Sequence, residues 1–283
     1  MYRLEDLISE DELYHHGIKG QKWGVRRYQY EDGSLTPAGK DRYYVESDKQ
    51  IVTNKDGSST IPKGYKYNRV GGANMKPNAS GALYVSSGKQ DVDKYIKMFG
   101  PLKVSMFTNK AWGGLSDTVQ HITVKDDLRM PNENQLSKLT TDFLLQNKQV
   151  FKSLINGDEE ENFSTVTYGY ESVNESLLKK LADNPTSNMS KRMAYSMSVV
   201  LGNSNYAPEA KAYYEYLRKN GYDAIPDLND RYNGATKTAT IIINPNKVEC
   251  TSTTTITKDI INSGAKFVQN AWDLPVSEVF DNY

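Results

Sequence analysis

KGYKYNRVGG (residues 63–72) and GALYVSS (residues 81–87) are the stretches on which the fold turns. In the first, Tyr65, Tyr67 and Arg69 alternate along an extended segment, and the Gly71-Gly72 pair ends it. The second reads as another short strand closing on Ser86 and Ser87. KQDVDKYIKMFG (89–100) then sets Val92, Tyr95, Ile96 and Phe99 at helical spacing, and PLKVSMFTN (101–109) returns to strand character. The order is a strand with an arginine, a strand ending in serines, a helix, and a strand.

Working outward toward the C-terminus, residues 132–220 read as helical. Leu136, Leu139, Phe143, Leu144, Val150, Phe151, Leu154 and Ile155 fall in two clusters at helical spacing, and a further helical pattern spans 172–182. In MSKRMAYSMSVVLG, Met189, Met193, Met197 and Val200 recur every three or four residues, as in a core stripe or a helix seam. KAYYEYLRKNGYDAIPDLNDRYNGATKTATIIINPNKVE (211–249) follows: a helix, a short strand, a loop, a final strand and a proline turn. The expectation is an α+β domain over 63–283, a mixed sheet with a helical insertion at about 132–220.

The arginine strand, the serine strand and the 211–249 ending together resemble the ADP-ribosyltransferase fold of the Arg-Ser-Glu type, over roughly residues 60–255. The closing part is similar to phage and polymorphic-toxin members, in which a helix leads to a GYD(A/G)I strand and a loop leads to a last strand ending in a proline turn. The resemblance implies NAD as substrate, with ADP-ribose transferred to a host macromolecule. Breaking the bond between nicotinamide and ribose develops positive charge on the sugar. Such a site needs an anion near the ribose, a cation for the pyrophosphate and hydroxyls to orient the ring.

On that resemblance Arg69 matches the phosphate-holding arginine and Ser86 the serine after the second strand, with Ser87 as a register alternative. Tyr84 or Tyr95 is the candidate for stacking on nicotinamide. An N-cap of the 89–98 helix is the competing role for the serines. The family's glutamate has no match: the corresponding loop holds Asp227 and Asp230. Aspartate is one methylene shorter, and displacing a catalytic charge by about 1 Å costs on the order of a hundredfold in rate. Asp230 is the first candidate for the acid and Asp227 the second, with turn formation as the alternative role of both. Two readings therefore stay open, a mono-ADP-ribosyltransferase and a non-catalytic structural or inhibitor protein that uses a degenerate transferase-like fold for binding.

At the other end lies HHGIKGQKWGVRRYQYEDGSLTPAGKDRY (15–43), where glycines are interleaved with aromatic and basic residues. Glycine lets a partner approach the backbone, while aromatic and guanidinium groups supply contact area and directional hydrogen bonds. This stretch resembles a short N-terminal module of proteins encoded among the head and packaging genes of tailed phages. The resemblance implies a minor head or virion protein, with His16, Lys19, Lys22, Trp23, Arg26, Arg27 and Tyr28 as partner-binding residues toward head or packaging proteins. Residues 3–14 have the spacing of a short amphipathic helix, and Thr36-Pro37 the form of an N-cap with proline at the first turn, for a helix over 37–46. The polar, turn-rich 46–62 stretch reads as a linker or mobile hairpin. The chain thus divides into a docking module (1–45), a linker (46–62) and the transferase-like domain (63–283).

Composition narrows the partners. Thirty-five basic and 35 acidic residues balance, so no overall field draws the chain to nucleic acid or an anionic membrane. Cys250 is the single cysteine, which excludes an intramolecular disulfide and a thiolate metal cluster. His15 and His16 are adjacent and His121 is distant in sequence, with no cysteine or suitably spaced carboxylate nearby to complete a metal set. No P-loop and no GxSxG elbow occurs. The N-terminus starts acidic, unlike a secretory signal, and no apolar run is long enough for a membrane span, so the expected location is the virion or the host cytoplasm. Residues 100–130 and the tail, with helical character at 258–271 and an apolar Trp272, Leu274, Val276, Val279, Phe280 cluster, point to no chemistry.

Overall fold

Thr36 is an N-cap: its Oγ1 accepts from Gly39 N at 3.1 Å, and helix α1 (Pro37–Tyr43) carries proline in its first turn. The computed structural model describes residues 36–72, 74–99, 118–155, 174–202, 204–232 and 236–256. The helix expected at 3–14, the docking residues 15–35, the strand expected at 101–109 and the tail from 257 lie outside the described residues.

Strands β1 (Val52–Thr53) and β2 (Ser59–Ile61) form an antiparallel hairpin within the 46–62 stretch. Its turn is closed by Asn54 N to Ser58 O at 2.7 Å, and Gly57 takes φ 83°, which a side chain would resist. The hairpin is seated on the main domain. β2 pairs with β6 (Leu128–Met130), and Ile61 has no exposed surface. Apolar residues are too sparse there to show a period, so the pairing is set by a strand 70 residues downstream in register (Ser59 with Met130, Ile61 with Leu128).

Two further sheets carry the expected strands. β3 (Lys66–Gly71) pairs antiparallel with β5 (Thr118–Val124), and β5 pairs with β9 (Val248–Thr255) across an irregularity between His121 and Ile122. β4 (Leu83–Val85) and β7 (Ala224–Pro226) flank β8 (Thr240–Ile242). The sheets meet at one bridge, Asn68 N to Ser86 O at 2.8 Å and Ser86 N to Asn68 O at 2.9 Å. Helix α2 (Lys89–Phe99) follows β4, as the spacing of Val92 and Ile96 requires.

The 132–220 region forms α3 (Glu133–Gln146), α4 (Lys148–Ile155), α5 (Glu175–Asp183), α6 (Asn188–Gly202) and α7 (Ala207–Lys219). Asn132 and Gln135 close a reciprocal capping box on α3, Gln135 N to Asn132 Oδ1 and Asn132 N to Gln135 Oε1, both at 2.9 Å. Met193, Met197 and Val200 are fully buried in the helical core, so the methionine stripe is a packing seam. A five-residue helix α8 (Leu228–Tyr232) leads on from β7.

The short central sheet is covered on both sides. Leu83, Val85 and Ile242 join Tyr67 and Ile122 in a core between the sheets, whereas Tyr84, Ile241 and Ile243 face the helices. A third cluster unites Tyr43, Val92, Ile96, Val119 and Ile256. The class is α+β.

Candidate functional site

Four of the residues singled out by sequence, Ser86, Tyr84, Tyr95 and Asp230, lie at the junction of β4, α2 and the loop that carries α8, and Asp227 joins them from the end of β7. The Ser86-Ser87-Gly88 turn wraps one hydroxyl. Thr238 Oγ1 accepts from Gly88 N at 2.7 Å and Ser87 N at 3.1 Å, lies 2.8 Å from Ser86 Oγ, and donates to Asp91 Oδ2 at 2.6 Å. Asp91, in the first turn of α2, also accepts from Thr238 N at 2.8 Å, Lys237 N at 3.1 Å and Ser86 Oγ at 3.2 Å. Ser86 has no exposed surface and Asp91 is 3% exposed. A Cβ on Gly88 would stand 2.8 Å from Asp91 Oδ2, which is why this turn takes glycine. Neither serine caps α2, because Val92 N donates to Gly88 O and the cap position is the glycine.

The acids sit one layer away. Asp227 is 3% exposed, and its Oδ1 accepts from Asp230 N at 3.2 Å and from Ser198 Oγ on α6 at 3.3 Å, the geometry of a cap for α8. Burial, and then the neighbouring Asp230, push the Asp227 carboxyl up to about 7. Burial and the charge of Asp91 raise Asp230 too, against a hydrogen bond from Tyr95 Oη to Asp230 Oδ2 that favours its ionised form. The phenols of Tyr84 and Tyr95 are held neutral well above their usual range, burial leading in both. Sequence reasoning did not single out Asp91, Thr238, Ser198 or Tyr214, whose buried hydroxyl lies near Tyr84, Ser80 and Asp227 without a well-formed hydrogen bond. The signal for Asp91 was its place three residues past a Ser-Ser-Gly turn. Ser198 and Thr238 stand among many like residues and carry none.

Arg69 keeps different company. Successive strand residues face opposite ways, and Asn68 turns toward Val45 and His121, so Arg69 projects to the face of Tyr67. Its Nη1 donates to Gln120 Oε1 at 3.2 Å and curls over Gly71, where a Cβ would stand 2.6 Å from it. Cys250 is its other neighbour, and burial lowers the guanidinium from its usual value. The strands of Arg69 and Ser86 touch through the Asn68 bridge, but the Arg69 head group lies against Gln120 and the Ser86 hydroxyl against Asp91 and Thr238. Ser87 is half-buried and its carbonyl accepts from Tyr44 Oη at 2.7 Å.

His121 sits in the sheet between Asn68 Oδ1 at 3.0 Å and Thr254 Oγ1 at 3.1 Å, lowered by burial. Among the described residues no helix is long and apolar enough to cross a membrane. The partner-binding residues His16, Lys19, Lys22, Trp23, Arg26, Arg27 and Tyr28 lie outside the described residues. A sequence family of unknown function, DUF7211, matches residues 6–30. No curated protein and no solved structure matches the chain.

Proposed function

We propose that the chain is a head-associated phage protein whose N-terminal element docks on head or packaging proteins and whose main domain is a transferase-like fold used for binding. The observation that carries the binding reading is the Ser86 hydroxyl. It is fully buried and engaged by Asp91 and Thr238, with the family glutamate replaced by Asp227 and Asp230 one layer away. An orienting hydroxyl has to face the sugar, and this one faces the protein. The family match over 6–30 contains His16 through Tyr28, which supports reading this element as a unit that recurs apart from the main domain.

One observation favours the second reading, transfer of ADP-ribose from NAD. Buried carboxyls with raised affinity for protons, set beside two aromatic rings, are common where enzymes do chemistry. Labelled NAD incubated with the full chain and host lysate separates the two. Binding without transfer leaves lysate protein and nucleic acid unlabelled. Labelling that Arg69→Ala and Asp230→Asn both abolish establishes the transferase instead. For docking, removal of residues 15–35, which leaves α1 and the buried Tyr43 in place, is expected to release the protein from particles; continued copurification of the shortened chain with virions overturns that role.

A further inference from the structure

We propose that Asp227 and Asp230 form a proton-holding clasp that seats helix α8 against α6 and α2, and that ionisation of both carboxyls loosens this seat. The inference is independent of whether NAD binds.

The geometry comes first. α8 is five residues long, too short to be stable by itself, so its position depends on side chains at its start. Asp227 Oδ1 holds the helix amide of Asp230 and reaches Ser198 on α6; Asn229 N also donates to Ser198 Oγ at 3.4 Å. Asp230 Oδ2 takes the Tyr95 hydroxyl of α2. Each carboxyl therefore ties α8 to one neighbouring helix, Asp227 to α6 and Asp230 to α2, and the two acids are neighbours, Asp227 buried and Asp230 half-buried.

The surroundings cannot carry two negative charges. From α2 come Tyr95 and the carboxylate of Asp91, which bears on Asp230. From β4 and α7 come the buried Tyr84 and Tyr214 phenols, which lie against each other and give no hydrogen bond to Asp227 or Asp230, so that side does not solvate an anion. Among the described residues the facing cation is Arg231 of α8 itself, half-buried, its guanidinium given to Ala239 O at 2.8 Å and Thr240 Oγ1 at 3.5 Å. One retained proton relieves the repulsion. Burial raises both acids, so the retained proton belongs to the pair, and Asp230 Oδ2 accepts from the Tyr95 hydroxyl.

The sign follows by linkage. An unfolded aspartate releases its proton near pH 4, whereas folded Asp227 keeps it to about 7. Over that window the folded chain binds the extra proton, so stability is greatest at the acid end, falls as pH rises, and levels off above the folded value.

The test is urea unfolding of the full chain from pH 5 to pH 8, beside an infrared spectrum at pH 6. The folding equilibrium constant is expected to fall with rising pH, by up to about tenfold per pH unit where one proton is lost on unfolding. Asp227→Asn is expected to flatten this dependence and to remove a protonated-carboxyl stretch seen in the unaltered protein. Hydrogen exchange of the α8 amides is expected to speed up above pH 7 in the unaltered protein beyond the intrinsic rate change. A stability that is level or rises over this range, or an Asp227→Asn chain with the original slope, overturns the clasp. Should that variant not fold, the infrared spectrum of the unaltered chain decides: no protonated carboxyl at pH 6 means no clasp.

Discussion

The side-chain amide of Asn68 pairs with both main-chain groups of Val45: Val45 N donates to Asn68 Oδ1 at 2.9 Å, and Asn68 Nδ2 donates to Val45 O at 3.0 Å. One side chain thus does what a neighbouring strand would do, and fastens the segment after α1 to β3. Around this clamp Tyr43 is buried among Val92, Ile96, Val119 and Ile256, Tyr44 Oη reaches Ser87 O, and Ser47 Oγ accepts from Lys66 N at 3.2 Å. Tyr43 ends the 15–43 stretch and lies within the 1–45 element read as a docking module, so that element reaches into the core of the main domain.

Replacing Asn68 with alanine strips Val45 of both bonds and leaves His121 Nδ1 without its partner. Leaving such groups unpaired costs about 2 kcal/mol or more. Urea unfolding is expected to show that loss, and a chain starting at residue 48 is expected to be less stable than one starting at residue 36. Equal stability of the two shortened chains removes the fastening role.

Gly88→Ala is expected to destabilise by about 1–3 kcal/mol, because the new methyl collides with Asp91 Oδ2 and Thr238 Oγ1, both fixed by other bonds. Gly202, at the end of α6, has open space where its Cβ would be, and Gly202→Ala is expected to be neutral or stabilising by up to about 1 kcal/mol. Thermal melts of the two variants side by side are the check; similar losses in both mean that the Ser86–Gly88 turn is not held as described.

Two adjacent tyrosines on α7 make a controlled comparison. Tyr213 Oη lies 2.6 Å from Thr140 Oγ1, whereas the buried Tyr214 hydroxyl lies beside Tyr84 and Ser80 without a well-formed hydrogen bond. Tyr213→Phe is expected to cost about 1 kcal/mol, and Tyr214→Phe to change stability by less than about 0.5 kcal/mol in either direction. A larger loss at Tyr214 means that its hydroxyl bonds Tyr84 or Ser80 after all.

The parts of the fold that were legible are those whose signal is local. Alternation at Tyr65 and Tyr67, the helical spacing of Val92 and Ile96, the Thr36-Pro37 cap and the Met193–Met197 stripe each depend on a few neighbouring residues. β1 and β2 were not legible as sheet strands, because only Ile61 is buried there and the pairing strand lies far along the chain. In the candidate site, residue types were readable but directions were not. Ser86 and Arg69 stand on adjoining segments, yet whether a hydroxyl faces a cleft or a buried carboxylate depends on Asp91 and Thr238, and no local pattern marks Thr238 as its partner. Asp227 and Asp230 look like turn formers in sequence, and Asp227 does cap α8; their shared burial comes from β4, α2, α6 and α7 closing over them.

The bond between Asp91 and Thr238 joins positions 147 apart, and β9 completes a sheet begun at β3. Order of synthesis and order of assembly are therefore opposed. While the ribosome is still delivering the helices, β5 presents an open edge to any other nascent chain, and non-local closure of this kind is slow. Yield of native protein from translation should accordingly depend on temperature and chaperone supply more steeply than the finished molecule's stability alone would require.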